Sequence, residues 1–423
     1  MGSIVIGSGY RGMTFLKILS QMGEKVMAIV EKDVNKHNFV KWQLNKAICP
    51  VPPFMTDYRE AFDKIPKEEA DKVFIITPDF THREIFEECI KREYHIFLEK
   101  PIATKRNDIV DMLNMSRNYQ KDIQVGFVLR FTDFYSKIKE IVLSDILGEI
   151  VFIQMNERLT AQKSTTLKKD WHNKWEFTGG FLNEKCSHDI DIMLWLKESQ
   201  AKPVKIISYG STKFGNNPKD YPERCSQCDR ADCYCKEKED PILNEYLKEH
   251  PEETEKFKNV LEARDKCFYH TNSEVFDNQS ALVIFSDGSH GNFSYIAVSG
   301  DPGRDIVIHG TKGYLEGNFN KCELKYIIYD TNEEKKIVFE NIDKHGGGDQ
   351  RIIKNFLNKA QNHVSEKDSL ADGAYASIVS FMGDYSLYTE KMENIPPIDQ
   401  KGIFIPFEEY MAKIKKPINQ YNH

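Results

Sequence analysis

The chain has 423 residues, 40% of them hydrophobic, and a formal net charge of −7. That length accommodates two or three domains with a sizeable core. The acidic balance, with Lys and Arg scattered rather than blocked, excludes a general nucleic-acid binder, which needs a positive field to hold phosphates. No run of 18 apolar residues is present and no basic segment leads into a long apolar one, so no membrane partner and a cytoplasmic location are expected. Nine cysteines in that compartment read as thiols or metal ligands rather than disulfides.

Residues 3–7, SIVIG, read as a buried strand. Gly7, Gly9 and Gly12 follow in G-x-G-x-x-G spacing, and a helical pattern then runs to Gly23. That fingerprint is weak alone, but between a strand and a helix it marks a dinucleotide site, with the pyrophosphate at the helix N-terminus. Tyr10 and Arg11 lie inside the same turn. The next strand, residues 25–31, ends in Glu31, 19 positions after Gly12. An acid there accepts hydrogen bonds from both adenosine ribose hydroxyls and repels a 2′-phosphate, so NAD is favoured over NADP.

Strands over 72–78, 95–100 and 123–131 alternate with helices over 81–93 and 107–119. Such alternation predicts a parallel, doubly wound α/β sheet with ligands at the carboxyl ends of its strands. Thr77-Pro78 and Glu99-Lys100-Pro101 sit at two of those ends and are expected to line the crevice. Arg130 either bonds cofactor or substrate, or ties domains together.

Strand signals dominate after residue 148. Trp171 and His172 suit stacking on and hydrogen bonding to a sugar, or a place in the core. Residues 183–196, NEKCSHDIDIMLWL, crowd Glu184, Lys185, His188, Asp189 and Asp191 ahead of an apolar run. At helical spacing Glu184 and His188 share a face. Acids at a helix start suit the macrodipole, but that reading leaves His188 unexplained. A neutral imidazole is suited to accept a hydroxyl proton near neutrality.

Residues 213–277 interrupt the strand pattern with a charged, helix-prone insertion. It carries Cys225, Cys228, Cys233 and Cys235 in C-x2-C-x4-C-x-C spacing, with Cys267 further on. A soft-ligand set in a reducing compartment suits a structural Zn²⁺ on Cys225, Cys228, Cys233 and Cys267. Reduced thiols, a labile disulfide or an iron–sulfur cluster are the alternatives. His345 and Asp349 flank three glycines, a loop that lets backbone approach a ligand or simply starts a helix. The final ten residues are polar and expected to fray.

GSGYRG, TPDFTH and EKP in that order and spacing, then VGFVLRFTDFY, GGFLNEKCSHDIDIMLWL, IHGTKGYLEGN and HGGGDQRIIKNFL, resemble the glucose-fructose oxidoreductase / inositol dehydrogenase family, also written Gfo/Idh/MocA. The resemblance implies an N-terminal NAD-binding Rossmann domain over 1–122. It further implies a substrate-binding α/β domain over 123–423, built on an open, mostly antiparallel sheet and carrying the Cys-rich insertion of one sub-branch. It assigns nucleotide contacts to Gly7, Gly9, Tyr10, Arg11, Gly12, Glu31, Thr77, Pro78, His82, Glu99, Lys100 and Arg130. Lys100 and His188 would serve the reacting hydroxyl, with Glu184 beside them where the family often has Asp. Substrate contacts would fall to Lys100, Arg130, Trp171, Glu184, Lys185, His188 and His345. The activity implied is oxidation of a sugar, glycoside or polyol to a keto-sugar, by a homodimer or homotetramer. NAD-dependent glycoside cleavage through transient oxidation is the alternative, and a non-catalytic ligand sensor is a third.

Overall fold

Strand β1 (Gly2–Ile6) is buried at all five positions, as a strand is when helices cover both faces of its sheet. The computed structural model describes residues 1–47, 51–169, 171–215, 220–230, 232–236, 240–340, 345–362, 369–395, 398–399 and 402–403. The expectation for the last ten residues lies outside them. β1 is joined by β2 (Val26–Val30), β3 (Phe54–Met55), β4 (Ala70–Ile75), β5 (His95–Leu98) and β6 (Ile123–Val125) in the order β3-β2-β1-β4-β5-β6. Every pairing is parallel. The order reverses between β1 and β4, which opens a crevice at their carboxyl ends.

The two faces of this sheet are covered differently. Helices Tyr58–Lys64, His82–Lys91 and Arg106–Ser116 place Phe62, Ile85, Phe86 and Ile109 in a core with Ile4, Val30, Val73 and Ile96. On the other face Phe15 and Leu16, from helix Tyr10–Gln21, meet Val5, Ile29, Phe74 and Phe97. That core is completed from far downstream by helix Gly348–Asn362, whose Phe356 ring stands edge-on to Phe74 and Phe97 at 5.2 and 5.7 Å.

The sixth strand stops at Val125, short of the expected 131. Phe127 and Val128 donate to Val125 O and Gly126 O, and Val128–Phe131 forms a 3-10 turn. The second sheet has nine strands: β7 (Ile150–Arg158), β8 (Pro203–Ser211), β9 (Asn278–Phe285), β10 (His290–Ile296), β11 (Gly303–Gly310), β12 (Gly313–Asn318), β13 (Glu323–Ile328), β14 (Glu333–Val338) and β15 (Glu393–Asn394). Their order is β14-β13-β12-β11-β7-β10-β9-β8-β15, antiparallel throughout except for the parallel pair β7–β10. Helices Asp133–Leu143, Ser187–Lys197 and Ser369–Thr389 supply the core on its covered face.

The insertion between β8 and β9 reaches back to the first domain. Its helix Pro241–Glu249 and turn Pro251–Phe257 seat Tyr246 and Phe257 against Phe39 at 5.1 and 5.5 Å, on helix His37–Asn45. Trp42 packs on Tyr246 at 5.4 Å and donates its indole N–H to Glu249 at 2.7 Å. Among the described residues no helix is long and apolar enough to cross a membrane.

Candidate active site

Three glycines shape the turn after β1 in three ways. Gly7 has φ +99°, and a Cβ on it would lie 2.1 Å from Ile76 O, so no other residue fits. A Cβ on Gly12 would strike Gly7 O at 2.2 Å, whereas one on Gly9 would project into open space. Helix Tyr10–Gln21 starts there with no side-chain cap and no acid in its first turn, leaving amide donors facing that space. Glu31 follows β2, and its carboxylate accepts from Ser8 Oγ at 2.6 Å, Ser8 N at 3.3 Å and Asp33 N at 3.0 Å. Open room above Gly9, an uncapped helix start and an acid at the end of β2 together fit a dinucleotide.

The loops after β4 and β5 form the floor of the crevice. Thr77 Oγ1 accepts from Thr81 at 2.6 Å. His82 is wholly buried, its ring nitrogens 2.9 Å from Pro101 O and 3.1 Å from Thr77 O, so it binds the two loops to each other. Glu99 accepts Arg11 Nη2 at 2.7 Å and its neighbour's Lys100 N at 3.1 Å. Pro78 and Tyr10 are exposed at the rim. Phe80, on the β4 loop, meets Trp171 of the second domain edge-on at 5.7 Å, and Trp171 stacks on His172 at 3.7 Å.

Lys100 crosses from the first domain to the second, donating from Nζ to Glu184 O at 2.5 Å. The second-domain segment is two helices rather than one: Phe181–Glu184 ends in a break at Lys185 and Cys186, and Ser187–Lys197 begins anew. The break turns Glu184 away from the shared-face geometry expected with His188. Its Oε1 pairs instead with His172 Nδ1 at 2.8 Å, and its Oε2 is buried without a partner. Burial works to raise the Glu184 pKa, but His172, Lys100 and Lys185 outweigh it and hold the carboxylate below its usual range.

His188 is 8% exposed, its Nδ1 buried without a partner and its ring edge-on to Phe127 at 6.1 Å. Burial first, then the charges of Lys100, Arg304, His345 and Lys185, push its pKa well below that of free imidazole. The ring is therefore neutral at neutral pH. Asp79, at the head of the β4 loop, has its Oδ2 buried without a partner, and burial followed by Glu184 pushes its pKa well above the carboxylate range.

Other expected site residues are drawn into ion pairs. Lys185 pairs with Glu157, which also holds Arg304 at 2.6 Å, and Arg304 Nε donates to Asp189 at 2.8 Å. Arg130 gives Nε and Nη2 to Asp191 at 2.8 and 2.6 Å and Nη1 to Asp372 at 2.7 Å, contacts that tie three segments together. His345 Nδ1 lies 2.8 Å from Asp349, and Asp349 takes Arg11 Nη2 at 2.8 Å.

For the expected zinc site, no group of three or more Cys, His, Asp or Glu among the described residues is placed to hold a metal ion. Two of the thiols sit as small apolar groups. Cys235 and Cys267 are buried with Phe268 and Tyr269, with Cys233 packed against them, and burial pushes the Cys235 thiol up to about 11. Cys225 faces Lys266 O at 3.8 Å, and Cys225, Cys228, Cys233 and Cys267 lie near enough to act on one another electrostatically.

Sequence reasoning passed over Asp79, Arg304 and Glu157 as site groups. Asp79 had a signal, an ionisable residue directly after Thr77-Pro78 at a strand end. Arg304 and Glu157 had none, because only the sheet register brings β7 and β11 together beneath the Ser187–Lys197 helix.

Residues 1–127 match a family model described as an oxidoreductase family with an NAD-binding Rossmann fold, and residues 135–316 match a GFO/IDH/MocA C-terminal domain. A putative oxidoreductase of Bacillus subtilis (strain 168), YteT, is 24% identical over 383 residues, covering 84% of this chain and 87% of that protein. The crystal structure of myo-inositol 2-dehydrogenase from Lactobacillus plantarum superposes with a TM-score of 0.67 at 17% identity, over 93% of this chain and 99% of that one. A levoglucosan dehydrogenase in complex with NADH and levoglucosan does so with a TM-score of 0.68 at 16% identity, over 94% of this chain and 100% of that one.

Proposed function

The chain belongs to the GFO/IDH/MocA oxidoreductase family, and from that premise we propose that it transfers hydride between a secondary hydroxyl of a sugar, glycoside or polyol and NAD, giving a keto-sugar. The observation that carries this reading is Lys100, whose ammonium is held on Glu184 O at the mouth of the crevice beside buried, neutral His188. NAD would be held by the turn over residues 7–12 and by Glu31 and would supply the acceptor for the hydride leaving the carbinol carbon. Lys100 Nζ donates to the carbinol oxygen and favours its negative charge. A ring nitrogen of His188 takes the hydroxyl proton as the C=O bond forms, and the C–H electron pair leaves with the hydride. Phe80 and Trp171, edge to face at the rim, offer aromatic surface to a sugar. Glu31, whose carboxylate accepts from Ser8 and Asp33 N, favours NAD over NADP.

A second reading has one observation in its favour. Glu184 Oε2 is an orphaned buried carboxylate oxygen, coupled through Oε1 to His172. This second acid–base pair suits elimination and rehydration at the carbon next to a transient ketone, the chemistry of NAD-dependent glycoside cleavage. A screen of inositols, sugars and glycosides with NAD, reading NADH absorbance and aglycone release together, separates the two. Accumulating NADH supports the dehydrogenase, and aglycone without net NADH supports cleavage. NAD binding with neither product from any compound rules both out.

A further inference from the structure

Three buried polar atoms around Lys100 have no hydrogen-bond partner among the described residues: Asp79 Oδ2, Glu184 Oε2 and His188 Nδ1. Buried polar atoms are nearly always paired, so three together mark a place where a ligand completes the network. His188 serves the reacting hydroxyl. Two carboxyl oxygens are left, one from each domain.

The fold brings these two oxygens to one spot by separate routes. Asp79 opens the turn Asp79–Thr81 after β4. Its neighbour Phe80 docks that turn on the second domain, ring against Trp171 at 5.7 Å and against Phe177 at 4.9 Å. Trp171 stacks on His172, and His172 Nδ1 holds Glu184 Oε1 at 2.8 Å. Lys100 closes the other side, with Nζ on Glu184 O. The charged groups acting on Asp79 are Glu184, Lys100 and Glu99, and Glu99 is already engaged by Arg11. Glu184 is therefore the carboxylate that Asp79 meets.

Two buried carboxyls this close do not both ionise. His172, with Lys100 and Lys185, keeps the charge on Glu184. Burial and the charge of Glu184 favour the neutral acid at Asp79. One wall of the crevice thus carries an acceptor and the other a donor. A single hydroxyl satisfies both, giving its hydrogen to Glu184 Oε2 and accepting from the protonated Asp79 Oδ2.

We propose that Asp79 is a substrate-contacting donor: as a neutral carboxylic acid it hydrogen-bonds, with Glu184 accepting, the hydroxyl on the carbon next to the reacting carbinol. The inference rests on the sugar reading above and holds for either reaction. Lys100 joins the two positions, because the ammonium that meets the carbinol oxygen also lies on the main chain of Glu184. Oxygens on adjacent ring carbons stand a hydrogen bond's length apart, which suits that proximity. The substrate is thereby a vicinal diol. A lone secondary alcohol leaves both carboxyl oxygens unpaired, and sites built around a substrate hydroxyl reject analogues lacking it by about 10⁴–10⁵-fold.

The test uses the full-length protein with NAD, Asp79→Asn, which keeps an N–H donor but cannot ionise, and Asp79→Ala, which keeps no donor. Thermal melting and NADH titration check that both fold. Infrared difference spectra at neutral pH should show a protonated-carboxyl band in the unaltered chain that Asp79→Asn lacks, a readout that stands even where Asp79→Ala does not fold. kcat/KM is then measured on the fastest compound among inositols and sugars, and on its analogue with hydrogen in place of the neighbouring hydroxyl. On the diol, Asp79→Ala should lose about 10²-fold or more and Asp79→Asn should recover to within about tenfold, while on the analogue all three forms should be alike. Absence of the band, equal losses on diol and analogue, or an Asn variant no better than Ala overturns the inference and leaves the hydride reading standing. Turnover of no compound by any form overturns both.

Discussion

Lys100 Nζ and Glu184 O, 2.5 Å apart, join the loop after β5 to the one-turn helix Phe181–Glu184 across the domain boundary. The donor of the first domain thereby fixes the main chain four residues before His188 of the second. The contact therefore fixes each loop from the other domain as well as from its own.

Removing either side chain should strike the chemical step. Lys100→Met and His188→Asn are each expected to lower kcat by roughly 10²–10⁴-fold, the range for a positioned acid–base group, while NADH binding persists. Steady-state kinetics and a fluorescence titration check this. A rise in KM with kcat unchanged would reduce both residues to substrate anchors.

The acid limb of activity should lie low. His188 must be neutral to accept a proton, and its pKa in the folded protein is held well below the ordinary 6.5. Activity is therefore flat through neutrality and falls only at pH below that ordinary value. The sign for stability follows: between the depressed folded value and 6.5 the unfolded chain binds the extra proton, so this group's contribution is lost as pH falls through the window. In Lys100→Met the second-largest cause is gone, and an NMR titration of the His188 ring should move upward. An unmoved ring titration refutes the assigned cause.

Gly9 and Gly7 should separate binding from folding. Gly9→Val extends into open space, so the protein should fold with a near-native melting temperature and lose NADH affinity. Gly7→Val collides with Ile76 O and adopts a φ that branched residues avoid, so little soluble protein should form. Unchanged affinity in Gly9→Val would move the nucleotide elsewhere.

Arg130 should matter for stability ahead of substrate. Asp191 has 1% of its side chain exposed, and Arg130→Ala leaves that carboxylate buried without its cation. The expected loss is about 3–5 kcal/mol, typical of breaking one side of a buried pair. Urea unfolding measures it. A variant of unaltered stability but weakened substrate binding would return Arg130 to the list of substrate ligands.

The sequence made the first domain readable because its signals are local. The turn of Gly7, Gly9 and Gly12 carries its own steric requirements, and strands buried on both faces appear as unbroken apolar runs. Periodicity also located helix Ser187–Lys197, but not the break at Lys185 and Cys186 that sends Glu184 to His172. Periodicity reports that a face is buried, not what buries it. Phe356 therefore gave no hint that it packs on Phe74, nor Tyr246 that it packs on Trp42. Arg130 and Asp191 lie 61 positions apart, and nothing local links them. Cysteine spacing suggests a metal but does not give the direction of the thiols, and Cys235 and Cys267 join Phe268 and Tyr269 in a small apolar core.

Phe356 and its neighbours on helix Gly348–Asn362 also set an order of events during synthesis. The ribosome delivers the amino-terminal sheet first, yet one of its oily faces waits for a lid encoded some 220 residues after β6. Until that lid emerges, the nascent chain presents the parts of Phe74 and Phe97 that Phe15 does not cover, the condition under which chaperones bind and aggregates start. A gene cut after codon 127 should yield insoluble protein, and supplying residues 345–362 as a fused segment should restore solubility.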